Sequence, residues 1–195
     1  MFIISKISIF FSLILFSINS HAIDIKVFYV KGDVTSTDLD GVTKPLKKND
    51  LLLEGDTVTS KENSFAILKI AGHSTHKIES NTVLLIADLP YKFEGSDELE
   101  QGANLLLKAG TIFSDIEKSK GVKAITIRTK SSAMGVRGTK LVVSIDKETS
   151  DLIVGVKTGE VEVENFISGQ RDVLIKKQGI LIDGDANFSA PKRYS

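Results

Sequence analysis

The sequence predicts an all-β fold made of short strands. Apolar residues occur in short runs, or alternate with polar residues at the period of two that a strand requires. Turn-forming residues (Gly, Asn and Asp) separate these runs, as they commonly do between strands. The predicted strands include 25–29, 65–70, 82–86, 103–108, 124–129, 141–146, 152–157 and 160–164.

Individual strands carry patterns that predict their faces and partners. Ile25, Val27 and Tyr29 alternate with other residues and predict one buried face for the first strand. Residues 160–164 alternate Glu and Val, which places two valines on one face and three carboxylates on the other. Runs 141–146 and 152–157 flank a polar tip and predict a hairpin.

Residues 88–107 interrupt the strand pattern. They contain Pro90, Gly95, Gly102 and a charged stretch at 94–100. Because Gly and Asn fall inside any helical pattern here, we expect a long surface loop leading into the strand at 103–108. A short helix at 96–99 is the alternative.

Glycines recur at similar places along the chain. Gly32, Gly110 and Gly159 each lie two residues before a β-branched residue, and Gly55 lies three before one. The spacings are too irregular for a strict solenoid repeat. We therefore expect similar turns at the starts of several strands, each using glycine for an unusual φ.

The first 22 residues have the pattern of a cleavable signal peptide. One positive charge in residues 1–6 precedes an apolar core at 7–18, and Ser20-His21-Ala22 places small residues at −3 and −1 of a cleavage site. The core is shorter than the about 20 residues of a membrane-spanning helix. We expect export to the periplasm, with an extracellular destination as the alternative.

The predicted mature chain has the composition of a single soluble domain. Its 173 residues hold all 25 acidic residues and 24 of the 25 Lys and Arg, so the net charge is near −1. That balance gives no sign of broad electrostatic capture of nucleic acid. No cysteine is present, so the core alone holds the fold. No later apolar stretch is long enough to span a bilayer, so we expect no membrane span after cleavage.

The most informative segment is Gly135-Val136-Arg137-Gly138-Thr139. Two glycines three residues apart flank an arginine, and a run rich in β-branched residues follows. A phosphate-binding loop would continue into a helix, with Lys-Ser/Thr or a third glycine. The segment therefore predicts a tight corner that feeds a strand.

This segment resembles the signature of the FecR-domain family of bacterial envelope proteins. Gly32-Asp33-Val34, 53–59 and 156–161 extend the resemblance to about residues 25–182. The resemblance implies an all-β domain with a twisted, β-solenoid-like stack of strands, and the pattern leaves a sandwich-like stack open. We place the domain at 23–187, between the signal peptide at 1–22 and a short C-terminal tail at 188–195.

The same resemblance implies a signalling role that this chain does not match fully. The family's relay of an outer-membrane transport signal to a cytoplasmic sigma factor needs a cytoplasmic segment and a membrane helix before the periplasmic domain. A predicted cleavable signal replaces both here, so we do not expect direct sigma-factor regulation by this chain alone.

Arg137 has two interpretations. Its guanidinium can bind a carboxylate, phosphate or sugar of a ligand. The preferred interpretation is structural: Arg137 pairs with a carboxylate or caps backbone carbonyls across two strands. Gly135 and Gly138 then supply conformation and close packing, and Thr139 begins the next strand.

The candidate metal ligands are too few for a site. His73 and His76 predict a polar hairpin tip, because the remaining histidine, His21, leaves with the signal peptide and zinc needs more ligands. Asp38-Leu39-Asp40-Gly41 lacks the later oxygen ligands of a calcium loop and predicts a β-turn, as does 183–185. We expect no metal and no cofactor.

No catalytic residue is nominated either. The chain lacks cysteine and a Gly-x-Ser-x-Gly elbow, and nothing selects a carboxylate pair. We expect a non-enzymatic interaction or sensing module. Its expected partner is another envelope protein, and its oligomeric state stays open. The alternatives are a periplasmic binding protein for cell-wall glycan or a small envelope ligand, and a structural component of a surface layer. A concave polar pocket near 133–139 and 88–102 would favour a ligand, whereas a flat or edge-strand surface there would favour a protein partner through strand addition.

Overall fold

The computed structural model describes residues 20–70, 74–93, 102–118 and 125–194, which form nineteen β-strands. The predicted all-β class is confirmed. None of the described residues belongs to a helix with the length and apolar character needed to cross a membrane. The strands are β1 (Ser20–Ala22), β2 (Ile25–Lys31), β3 (Val34–Thr37), β4 (Thr43–Pro45), β5 (Leu51–Leu52), β6 (Thr57–Ser60), β7 (Phe65–Ile70), β8 (Ser74–Ile78), β9 (Val83–Asp88), β10 (Tyr91–Phe93), β11 (Asn104–Ile116), β12 (Ile125–Arg128), β13 (Ser132–Val136), β14 (Lys140–Ile145), β15 (Leu152–Thr158), β16 (Glu160–Asn165), β17 (Arg171–Ile175), β18 (Gln178–Ile182) and β19 (Lys192–Arg193).

Strands β2 to β9 and β11 to β19 form one mixed sheet that folds into two ladders sharing β11. The first ladder has the order β5-β2-β7-β8-β11-β14-β15-β18-β19. The second has the order β4-β3-β6-β9-β11-β12-β13-β16-β17. The first half of β11 belongs to the second ladder and its second half to the first. Strands β11 and β12 run parallel. Strand β1 pairs with β10 apart from this sheet.

The inward residues of both ladders form one apolar core. Alternate residues along the strands are buried, as the burial of Val161 and Val163 in β16 and of Leu141 and Val143 in β14 shows. Burying each such aliphatic side chain contributes about 1.5–3 kcal/mol. Since side chains of both ladders meet in one cluster, the arrangement is sandwich-like.

Several predicted elements are confirmed in detail. The hairpin at 141–146 and 152–157 is the β14–β15 pair. The predicted strand at 65–70 is β7. Strand β16 buries its two valines and turns its glutamates outward.

Two strand predictions differ from the structure for identifiable reasons. Tyr29 was predicted to be buried with Ile25 and Val27, but a register shift between Val27 and Tyr29 turns its ring outward. The strand predicted at 103–108 continues to Ile116, because Gly110 bends the chain without ending it.

The ends of the domain and the interruption at 88–107 are partly described. Strand β10 lies within the predicted loop, and 94–101, including the alternative helix at 96–99, lies outside the described residues, as does most of the predicted signal peptide. Within the predicted tail, Phe188 bridges to Ile182 and packs against the core. Strand β19 extends the first ladder beside β18.

Candidate functional site

The Gly-Val-Arg-Gly-Thr segment is a corner at which the chain passes from one ladder to the other. Val136 ends β13 in the second ladder, and Lys140 begins β14 in the first. Gly138 has φ +67°, and a Cβ at this position would lie 2.6 Å from Cβ of Lys118. The corner therefore requires a residue without a side chain at 138.

Thr139 connects this corner to the next one. Its side chain is buried, and its hydroxyl donates to the carbonyl oxygen of Glu160 at 3.0 Å. Gly159 has φ +87°, and a Cβ there would lie 2.6 Å from both the Gly138 carbonyl oxygen and the Thr139 hydroxyl. The β13–β14 and β15–β16 corners are thus packed directly against each other.

The N-terminal half uses the same construction, which explains the recurring glycines. Gly32 lies between β2 and β3 with φ +80°, and the next residue's N–H donates to the Ser64 hydroxyl at 2.8 Å. Gly110 bends β11 with φ +87°, and the Thr111 N–H donates to the Thr82 hydroxyl at 3.0 Å. In all three places the residue after a left-handed glycine bonds a hydroxyl from another part of the chain: its N–H donates to Ser64 or Thr82, and its carbonyl oxygen accepts from Thr139.

Gly135 does not have the role that the sequence predicts for it, and the role of Arg137 stays a prediction. Gly135 lies within β13 in ordinary strand conformation, with open space where a Cβ would be. The Arg137 side chain is exposed, and no hydrogen bond or ion pair to it occurs among the described residues. Of the two glycines, only Gly138 supplies unusual conformation and close packing.

His76 is a core residue. It was predicted to lie at a polar hairpin tip, but it lies within β8 and is fully buried, with Nδ1 2.8 Å from the Ser114 hydroxyl and Nε2 2.9 Å from the Ser74 hydroxyl. Burial disfavours the imidazolium and lowers the pKa of His76 to about 4. The prediction was wrong because the alternation of β8 turns 74, 76 and 78 inward. His73 lies outside the described residues.

The acidic motifs are turns. The Asp38 carboxylate accepts hydrogen bonds from the N–H groups of Asp40 and Val42. The Asp183 carboxylate accepts from Asp185 and Asn187, and the Asn187 bonds lower the pKa of Asp183. Both are Asx-type turns, as predicted. Across the described ranges, no three His, Asp or Glu side chains are grouped as a metal site needs.

A large concave surface lies on the outward face of the first ladder and has a volume of about 1160 Å³. We call it the basic groove. Its floor is formed by outward residues of β11, β14, β15 and β18 and by the ring of Tyr194. Gly155 in β15 and Gly179 in β18 are part of this floor and pair with each other across the two strands. The apolar floor residues are Phe113, Val142, Ile153, Leu181 and Tyr194.

Cations dominate the rim of the basic groove. The rim residues are Lys77, Lys140, Lys157, Lys176, Lys177, Lys192 and Arg193, with one acid, Asp115. Lys140 is paired with Asp115 at 2.6 Å and Lys77 with Glu79 at 2.5 Å. The other five have no ion pair among the described residues. A net charge near zero therefore conceals a local excess of positive charge.

The basic groove borders the corner motif but lies outside the two segments whose surface was to distinguish a ligand from a protein partner. The sequence pointed to 133–139 and 88–102, whereas the groove begins at Lys140 and Thr158, the strand residues that follow and precede the two interlocked corners. One sequence signal could have indicated the groove: the outward positions of the β14–β15 hairpin hold apolar residues or glycine, namely Val142, Ile153 and Gly155. The residues that complete the groove lie in β11 and β18, which are distant in sequence, so this signal alone does not locate it.

The described residues thus form a two-ladder β-domain with a concave, cation-rimmed surface on its outward face. The profile of the family described as FecR protein matches residues 56–162, more than half of the chain. The chain belongs to the FecR family. Membership in this family fits a sensing or signalling module.

Solved structures show the same fold. Two crystal structures, at 1.65 and 2.50 Å resolution, of a candidate anti-sigma factor from Parabacteroides distasonis align with TM-scores of 0.57 and 0.56 at 16% identity. Each alignment covers 70% of this chain, and this chain spans 59% of the solved chain's length. At this identity the similarity concerns the fold alone. No curated protein sequence matches the chain.

Proposed function

We propose that this chain is a non-enzymatic, exported module of the bacterial cell envelope that senses or binds another envelope protein. The basic groove is the observation that carries this proposal. It is a large concave surface with an apolar floor and a charged rim, which are the two components of a protein recognition surface. Family membership supports a regulatory role, and the pattern of residues 1–22 supports export.

The corner motif has a supporting role in this proposal. Strand β14 starts after one corner and β15 ends at the other. The two corners are held together by Gly138, Thr139 and Gly159. Those two strands provide Val142, Ile153 and Gly155 to the groove floor. The motif thereby holds the binding surface in shape without contacting the partner.

Localisation tests the export part of the proposal. The full chain with a C-terminal tag is expressed in a Gram-negative host, fractionated, and its N-terminus is sequenced. We expect an exported protein beginning at Ile23. An uncleaved chain retained in the cytoplasm would refute export.

Capture of a partner tests the binding part. Tagged protein 23–195 is cross-linked in envelope extracts of the bacterium that carries this chain, with mock-tagged resin as control. We expect one reproducible envelope protein. Recovery of muropeptides alone would instead support the glycan-binding alternative, and recovery of nothing would refute an interaction module.

A further inference from the structure

We propose that the basic groove is the docking site for an acidic, extended segment of a partner protein whose apolar side chains pack on the groove floor. This inference rests on the proposed function and specifies the chemistry of the partner.

The first argument is charge. Lys157, Lys176, Lys177, Lys192 and Arg193 line the groove, all are exposed, and none has an ion pair among the described residues. The sole acid of the rim is already neutralised by Lys140. Like charges held around one concave surface attract an anionic partner and speed its association.

The second argument is the floor. Ile153 is 51% exposed, Phe113 45%, Tyr194 42% and Leu181 41%, although they lie side by side on one face. A contiguous apolar patch on a folded protein commonly marks an interaction site. The occupant must therefore present apolar groups together with its negative charge.

The third argument is shape. Phe113, Val142, Gly155, Gly179 and Lys192 face each other in that order across β11, β14, β15, β18 and β19. The two glycines contribute no side chains, and the Tyr194 side chain lies over both, with its hydroxyl 3.8 Å from the Cβ position of Gly155 and its Cδ1 3.8 Å from that of Gly179. The row spans four strand spacings, about 19 Å, which is the length of about six extended residues, and an occupant would cross it over Phe113, Val142 and the Tyr194 ring.

The same features disfavour other anionic partners. A recessed floor cannot insert its apolar side chains into a bilayer, as an interfacial membrane surface must. Single-stranded nucleic acid needs a series of aromatic platforms, and the floor has two rings, Phe113 and Tyr194, among aliphatic side chains. The volume of about 1160 Å³ exceeds the usual range of about 300–1,000 Å³ for small-molecule pockets.

The test uses a fluorescein-labelled octapeptide in which Glu alternates with Leu, and a matched peptide in which Lys replaces Glu. Binding to protein 23–195 is measured by fluorescence anisotropy at two salt concentrations. The groove variant is the double substitution Lys157→Glu and Lys176→Glu. The control, Lys44→Glu and Lys130→Glu, changes the net charge equally at exposed positions away from the groove.

We expect the acidic peptide to bind, to lose affinity as salt rises, and to bind the groove variant at least tenfold more weakly, while the control stays within twofold of wild type. Ile153→Ser should weaken binding at least threefold at unchanged net charge. Equal losses in the groove and control variants would overturn the proposal. So would retention of affinity by the groove variant, or binding only to anionic vesicles or single-stranded DNA.

This test and the partner capture fail separately. If an envelope protein is captured equally by wild type and by the groove variant, the proposed function stands and the groove assignment is wrong. If no envelope protein is captured, the proposed function is wrong even where the peptide binds.

Discussion

The corner motif and the basic groove are neighbours, but they depend on different properties of the chain. The corner depends on the buried Thr139 side chain, on left-handed glycines at 138 and 159, and on the hydrogen bond from the Thr139 hydroxyl to the Glu160 carbonyl oxygen. The groove consists of outward positions on regular strands, where the backbone accepts almost any side chain. Backbone geometry therefore makes the corner recognisable in sequence, while the groove is free to vary with its partner.

This difference separates stability from recognition. Substitutions at the corners should change the free energy of unfolding, and substitutions at groove residues should change binding at nearly constant stability.

The largest effect is expected for Gly159→Ala. The new Cβ would combine a left-handed φ with a contact 2.6 Å from the Gly138 carbonyl oxygen, so the two corners must separate. We expect a loss of about 3–4 kcal/mol in the free energy of unfolding, measured by urea denaturation followed by circular dichroism.

Gly169→Ala is the matched control for that substitution. Gly169 has φ +70°, but nothing lies within 4 Å of its Cβ position. We expect a loss of about 1 kcal/mol from conformation alone. Equal losses in the two variants would show that the corners are not packed as tightly as the structure indicates.

His76 should make the core sensitive to acid. Its pKa is about 4 in the fold, below the value of about 6.5 in the unfolded chain, so the unfolded state binds more protons between these values. The stabilising effect is complete above pH 6.5 and is lost as the pH falls towards 4. The contribution of His76 to the free energy of unfolding is about 3 kcal/mol in total, of which about 2 kcal/mol is lost between pH 6.5 and 5.

Urea denaturation at pH 6.5 and pH 5 measures this effect in a window where most carboxylates stay ionised. His76→Gln retains a donor and an acceptor for the Ser74 and Ser114 hydroxyls but cannot titrate. We expect its stability to change little across the window. If the free energy of unfolding fell by the same amount between pH 6.5 and 5 in the variant and in the wild type, the acid sensitivity would belong to other groups.

The two motif glycines provide the next comparison. Gly138→Ala should cost about 2 kcal/mol, because φ is +67° and the Lys118 side chain occupies the Cβ position. Gly135→Ala should change stability by less than about 0.5 kcal/mol, because its conformation is ordinary and its Cβ position is open. Thermal unfolding of both variants measures the difference. A similar loss at both positions would restore the symmetric role that the sequence predicts.

Local patterns predicted much of the fold, and long-range pairing accounts for the remainder. The alternation in β16 and the polar tip between β14 and β15 are properties of neighbouring residues, so the sequence displays them directly. The sequence shows a glycine at 110, but it does not show whether the strand ends there or bends and continues. That depends on the hydrogen bond to Thr82, almost thirty residues away. The buried state of His76 depends on Ser114 in the same way.

The groove escaped prediction for the same physical reason. Phe113, Val142 and Gly179 are far apart in the chain, and only the order of β11, β14, β15 and β18 brings them together. Composition could not show it either, because the net charge is a sum over the whole chain and does not tell which residues share one face of the sheet.

The smallest effect is expected for Arg137→Ala, and this substitution separates the two sides of the contrast most directly. The sequence predicts that Arg137 stabilises the corner through a carboxylate or backbone carbonyls, but its side chain is exposed and no such bond occurs among the described residues. We therefore expect urea denaturation to show a change below about 0.5 kcal/mol. Peptide binding should also stay within twofold of wild type, because Arg137 does not line the groove. A loss of about 2 kcal/mol would return Arg137 to the structural role, and unchanged stability with lost partner capture would make the corner itself a binding surface.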